Sequence, residues 1–295
     1  MIKRTLYFGN PAYLSINLDQ LIVQKPDEGG KSSIPVEDIA VVVLDHARIT
    51  ITHGVLKSLL DNKVALISCD ESHMPSGLML PLEGNHTQSE KYTHQINASL
   101  PLKKNLWQQT VKAKIHNQML VLKILGKAYK RLEVLEHRVT SGDTGNVEAQ
   151  AAAYYWPTLI EGFYRERYGE PPNGLLNYGY AILRAMVARA LLSSGLMPTL
   201  GIFHKNKYNA YCLADDIMEP YRPFVDRIVV ELYCGMNIDT FLDRESKIKL
   251  LGIATVDAMF GKMKSPLMVG MSRTSSSLFE CFEGTKKNIV YPIMT

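Results

Sequence analysis

Along the first eighty residues the apolar positions come in short bursts. "RTLYF", "YLSIN" and "LIVQK" alternate between apolar and polar, while "IAVVVLD" and "VALISCD" are nearly continuous apolar runs. All are rich in β-branched and aromatic residues, and turn formers such as "GNP" and "DEGGKSS" separate them, which predicts a series of strands. One helical stretch, Gly54 to Asn62, interrupts the series. Residues 83–101 are polar and aperiodic and read as a linker. From Leu102 the period changes: Leu106, Val111, Ile115, Met119 and Leu122 fall close to helical spacing, and helical patterns recur at 147–165, 174–193, 216–233 and 241–259. The pattern predicts an α+β protein. A small N-terminal β domain, residues 1–82, is followed by a larger all-α domain, residues 102–295.

Composition narrows the class of function. No apolar run approaches the roughly 20 residues of a membrane span, and the first residues alternate like a strand instead of forming an export signal. The expectation is a cytoplasmic protein with no membrane partner. The 4 cysteines (Cys69, Cys212, Cys234 and Cys281) are scattered, without zinc-ligand spacing, and read as reduced thiols. A net charge of +4 permits a nucleic-acid partner without requiring one. Basic residues in the helical half come in small groups, among them Lys112 with Lys114, Arg165 with Arg167, and Lys205 with Lys207. Each group alone reads as a solvated helix face. Their repetition across one domain tilts the reading toward a polyanion.

Two stretches carry candidate chemistry. In "TSGDTGNVEAQAAAYYW", residues 140–156, a glycine-rich turn with Asn146 as a candidate cap runs into a small-residue helix with one carboxylate, Glu148. In residues 201–233, His204 follows a short apolar stretch, and Asp215, Asp216 and Glu219 come soon after. Asp216 and Glu219 are three apart, so a helix would put them on one face. Hard carboxylate oxygens with one imidazole suit Mg²⁺ or Mn²⁺. The same residues also have structural readings. Asp216-x-x-Glu219 fits a capping box, Glu148 could complement a helix dipole, and a single histidine beside an apolar stretch is commonly a hydrogen-bonded core residue. Spacing alone leaves both readings open.

Taken together, "GDTGNVEAQAAAYYW", "FHKNKYN" and "LADDIMEPYRPFVD" resemble, in order and separation, three signatures of the CRISPR-associated integrase family Cas1. The resemblance covers nearly the whole chain. It implies metal ligands at Glu148, His204 and Glu219, with Asp216 as a supporting acidic residue of the catalytic set. Glu219 stands where many members have Asp, and with "DIMEPYRP" this resembles the branch found in type II systems. The implied activity is metal-dependent insertion of short DNA fragments (spacers) into a repeat array by 3′-OH transesterification. The implied partners are double-stranded DNA, a second copy of the chain bound through the β domain, a Cas2 subunit, and in type II systems the effector nuclease. Lys205, Lys207 and Arg222 are candidate DNA contacts. Two alternatives use the same residues: a metal-dependent nuclease on branched or single-stranded DNA, and a non-catalytic DNA-binding scaffold.

Overall fold

The computed structural model describes residues 3–26, 30–235 and 242–295, apart from the side chains of residues 234 and 235. Part of the "DEGGKSS" turn, the Cys234 side chain and the start of the helix expected at 241 therefore lie outside the described residues. The chain divides into two compact units, Met1–Gly84 and Asn85–Thr295.

The first unit holds two sheets. Strands β1 (Arg4–Phe8), β2 (Ala12–Asn17), β3 (Gln20–Gln24), β4 (Lys31–Pro35), β5 (Ile39–Leu44) and β6 (Ile49–Ile51) precede helix α1 (His53–Asp61) and strands β7 (Ala65–Cys69) and β8 (Pro75–Met79). One sheet has the order β1-β5-β7-β8 and the other β4-β3-β2-β6. β5 is central and pairs in parallel with β1 and β7, which accounts for its uninterrupted apolar sequence, buried from Ile39 to Val43. β2 shows the alternation of a strand with one buried face, and Leu14, Leu21, Val23, Val42, Val55 and Leu59 meet in the core of the unit. The strand and helix expectations for residues 1–82 match these elements.

The second unit is mainly helical and departs from the expectation in three places. Residues 83–101, read as a linker, contain helix α2 (Gln88–Asn97). Gln95 makes α2 part of the unit, because its side chain bonds Met197 N and the carbonyls of Met197 and Leu200. The polar sequence of α2 reflects side chains spent on backbone groups. Helices α3 (Leu100–Ile124), α4 (Lys130–Arg138), α5 (Val147–Leu159) and α6 (Asn173–Ser193) follow. The helix expected over 216–233 is split into α7 (Cys212–Met218) and α8 (Arg222–Gly235) by a tight turn at Glu219–Tyr221. Pro220, which lacks an N–H, cannot continue the ladder through that turn.

The domain is also not all-α. After α9 (Arg244–Leu251), strands β9 (Asp257–Phe260) and β10 (Met263–Pro266) form a hairpin. Helix α10 (Leu267–Glu283) leads to β11 (Pro292–Met294), which completes a three-stranded antiparallel sheet. The sheet takes residues 257–259, the end of a segment whose apolar spacing had read as helical. Runs of three or four residues carry too little periodicity to separate strand from helix.

α3 is the hub of this unit. Trp107, Val111, Gln118 and Val121 are buried along one stripe, and Lys114 falls in the same stripe at helical spacing. Buried Asn117 ties the hub to two distant segments. Its amide donates to the carbonyls of Pro220 and Pro292, at 2.8 and 2.9 Å, and accepts from Met294 N. α6 is buried on nearly all sides and lies so close to α8 that a Cβ added at Gly179 would sit 2.4 Å from Val225 Cγ1.

Candidate metal centre

Glu148 reaches the site from the first turn of α5. That turn is held by Asp143, whose two carboxylate oxygens accept from Val147 N (2.9 Å) and Glu148 N (3.0 Å). Asn146 occupies the cap position in a left-handed conformation, and its side chain makes no capping bond. The cap is therefore Asp143, from the glycine turn, and not Asn146. Two helix-terminal amides are satisfied and the backbone of Glu148 is fixed.

His204 is placed by Asp216, which is fully buried on α7. One Asp216 oxygen accepts from Ile202 N (2.7 Å) and Phe203 N (2.9 Å). The other accepts from His204 N (3.2 Å) and lies 2.5 Å from the ring Nδ1. The backbone wraps this carboxylate so closely that a Cβ at Gly201 would lie 2.4 Å from the His204 carbonyl oxygen and 2.8 Å from Asp216 Oδ2. Phe203 stacks on Trp107 at 4.2 Å, and both rings meet the imidazole edge-on. With Nδ1 committed, Nε2 remains available to a ligand. A carboxylate behind a ligating histidine in this way sets its tautomer and orientation. The hydrogen bond to Asp216 raises the His204 pKa against the opposing effect of burial, and the charges of Asp216, Glu219 and Glu148 add to the rise. The capping-box reading of Asp216 is thus not what the fold uses.

Glu219 sits in the tight turn between α7 and α8, buried, with its position fixed through the Pro220 carbonyl held by Asn117. Arg222 Nε lies 2.9 Å from its Oε1. Lys114, from the hub helix, stands between the two glutamates. Its Nζ donates to Glu148 Oε1 at 2.6 Å and lies 2.6 Å from Glu219 Oε2. The second contact is an ion pair that occupies Glu219 Oε2. Burial alone would raise the pKa of Glu219, but Arg222 and Lys114 outweigh it and hold the carboxyl below its usual range. Burial likewise opposes the charge on Lys114, and Glu219 and Glu148 reverse that and raise its pKa.

The fold therefore brings Glu148, His204 and Glu219 into one region, near enough for their charges to interact, while Asp216 stands behind the histidine. They do not close on one point. Among the described residues no group of three or more His, Cys, Asp or Glu side chains could hold a metal ion as it stands. The Lys114 ammonium occupies the place between the two carboxylates. The donor set nevertheless suits a hard divalent cation, with two carboxylates and one oriented imidazole.

Of the candidate DNA contacts, Lys205 and Lys207 are exposed on the segment after His204, and Lys207 Nζ lies 4.8 Å from the ring centre of Tyr208, itself 84% exposed. Arg222 is turned inward instead, onto Glu219 and over the Tyr180 ring. Asp215 forms a two-point pair with Arg184 and takes a bond from Asn209, fixing the loop to α6. Lys114 escaped the sequence reading, which grouped it with surface lysines. Its signal was its register with Trp107, Val111 and Gln118. Behind the glutamates lies a polar cavity of about 180 Å³, lined in part by Lys114, Gln118, Arg165, Tyr180, Arg222 and Asp226.

A family model described as CRISPR associated protein Cas1 matches residues 6–252. Over 235 residues the chain is 42% identical to the CRISPR-associated endonuclease Cas1 of Neisseria meningitidis serogroup C (strain 8013), covering 79% of this chain and 77% of that one. Its fold is similar to that of a casposase bound to integration product, with TM-score 0.80 at 18% identity over 98% of this chain and 92% of that one. It is also similar to a chain of a Cas6-RT-Cas1–Cas2 complex, with TM-score 0.76 at 21% identity, over 100% of this chain and 36% of that longer one.

Proposed function

The chain belongs to the Cas1 family, and from that premise we propose that it joins the 3′-hydroxyl end of a short DNA fragment to a phosphodiester of a repeat array, at a metal centre made by Glu148, His204 and Glu219. The observation that carries this reading is the convergence of Glu148, from α5, and Glu219, from the turn between α7 and α8, on a single cation beside a histidine whose Nδ1 is already held. A Mg²⁺ or Mn²⁺ ion bound there would polarise the phosphate and make the attacking hydroxyl more acidic.

The chain's own residues supply position. Asp143 fixes the backbone of Glu148, Asp216 aims the imidazole Nε2 outward, and Asn117 sets the turn carrying Glu219. In the transfer the 3′ oxygen bonds the phosphorus and the original P–O3′ bond breaks, leaving a free 3′-OH on the displaced strand. One phosphodiester replaces another, so no ATP is consumed. Lys205, Lys207 and Tyr208, exposed beside His204, are placed to meet phosphates and bases. Arg222 acts inside the site on Glu219. A second copy of the chain, bound through the open strand edges of the first unit, and a Cas2 subunit would hold both fragment ends at a fixed separation. The "DIMEPYRP" stretch supports work beside a type II effector.

A second reading is favoured by the name of the Neisseria relative, an endonuclease. With water as nucleophile the same residues would cut DNA. The test is a strand-transfer assay: a labelled duplex with free 3′-OH ends, a supercoiled plasmid carrying a repeat array, and Mn²⁺, Mg²⁺ or EDTA, with and without Cas2. Label joined to plasmid in wild type, and absent in EDTA, Glu148→Ala and His204→Ala, is expected. Cutting without joining would leave the nuclease reading, and no chemistry under any condition would leave a DNA-binding scaffold.

A further inference from the structure

Two carboxylates from different segments, α5 and the turn after α7, both largely removed from water, would repel each other if nothing stood between them. In this protein Lys114 stands there, 2.6 Å from an oxygen of each, with its side chain only 14% exposed. Its stem belongs to the buried stripe of α3, so the ammonium is delivered from the rigid hub of the unit and not from a loop. Lys114 pairs with Glu219 Oε2, and Arg222 holds the other oxygen of that carboxylate. Lys114 is thus seated where a divalent ion bridging Glu148 and Glu219 would have to go.

The cavity behind it offers a second seat. One turn further along the same helix face is Gln118, 3% exposed, and its Oε1 is a buried acceptor with no hydrogen-bond partner. A buried acceptor left without a donor is destabilising, and a donor that reaches it removes that cost. Lys114 and Gln118 both line the cavity of about 180 Å³, which has room for a displaced ammonium. Asp226 lines it as well.

We propose that Lys114 is a positioning residue with two seats: a built-in cation that holds Glu148 and Glu219 together in the metal-free protein, and that yields to the divalent ion by moving to the Gln118 side of the cavity. The inference rests on the metal-centre reading given above and adds the competition to it. The ion and the ammonium exclude each other, so metal affinity is set partly by how tightly the lysine holds its first seat. The exchange keeps the carboxylates in place before the ion arrives and gives the displaced ammonium a polar cavity to enter afterwards.

The test is a Mn²⁺ titration followed by electron paramagnetic resonance, with the melting temperature read in EDTA and in Mn²⁺, on the full chain. Lys114→Met is expected to melt lower in EDTA and to bind Mn²⁺ about tenfold or more tightly, because the carboxylates lose the competing ammonium while Arg222 still pairs with Glu219. Unchanged or weaker binding by Lys114→Met overturns the proposal. Should that variant fail to fold, Lys114→Arg keeps the charge, and its fork grips both carboxylates. Weaker Mn²⁺ binding with an undiminished melting temperature in EDTA is then expected, and unchanged binding overturns the proposal. Gln118→Leu removes the second seat and is expected to weaken Mn²⁺ binding severalfold without lowering the melting temperature in EDTA. Failure of the metal-centre reading looks different: wild type binds no Mn²⁺, or binding survives in both Glu148→Gln and His204→Ala. That result removes the proposal together with its premise.

Discussion

At the scale of single residues, the site is governed by side chains that stand one step behind the candidate ligands. Asp216 accepts from three successive amides and from the imidazole. In Asp216→Asn two of those donors would face an NH₂ group. Mn²⁺ affinity is therefore expected to drop about 10–100-fold, measured by titration, while Glu148 and Glu219 stay in place. Asp226 makes a second case. It is buried between the hydroxyls of Tyr155 and Tyr180, and burial pushes its pKa up to about 7 despite those bonds and the nearby Arg222. Its folded pKa lies above the unfolded one, so the folded state binds the extra proton. Its contribution to stability is complete below about pH 4 and is lost as pH rises through about 7. Urea unfolding at pH 5 and pH 8 should show wild type losing stability on the order of a few kcal/mol relative to Asp226→Asn. Equal pH dependence in the two proteins would refute this. Glu148, His204 and Glu219 were legible as candidates because carboxylates and histidines are rare among apolar and small residues. Lys114 and Asp143 were not, because a lysine or a turn aspartate reads as solvated until the fold buries it.

At the scale of elements, strands were more legible than the connections between helices. The apolar runs of the first unit announced β5 and β7, whereas α2 was hidden because its polar side chains bond backbone groups. β9 was hidden because a few strand residues carry too little period. The split between α7 and α8 was written in Pro220, yet only the fold shows that Glu219 stands on the resulting turn. Close packing holds that turn from the other side, through the Gly179 contact between α6 and α8. Gly179→Ala is expected to destabilise the protein by about 1–3 kcal/mol through overpacking. Gly179→Ala combined with Val225→Ala should recover part of that loss, since the methyl it strikes is gone. A double variant as unstable as the sum of the two singles, in urea unfolding, would show that the contact is not the cause.

At the scale of the whole molecule, a net charge of +4 is small for a DNA-handling protein, so binding depends on where the charge stands. Much of the buried charge is internally matched, as with Lys114 and Arg222, and is not offered to a polyanion. Lys205 and Lys207 are exposed. Replacing Lys207 by alanine should weaken duplex binding without regard to sequence and lower the slope of log affinity against log salt by about 1. An unchanged slope in a filter-binding series from low to high salt would remove Lys207 from the contact. Order of manufacture sets a further condition. Asn117 leaves the ribosome 175 residues before Pro292, whose carbonyl it binds, and the same amide fixes the turn of Glu219 through Pro220. At roughly 5–20 residues per second, that interval lasts roughly 9–35 s. Glu219 emerges only 73 residues before Pro292, so for roughly 4–15 s at the end of that interval the nascent chain carries all three candidate ligands while the contact that completes the Asn117 clamp is still to be made.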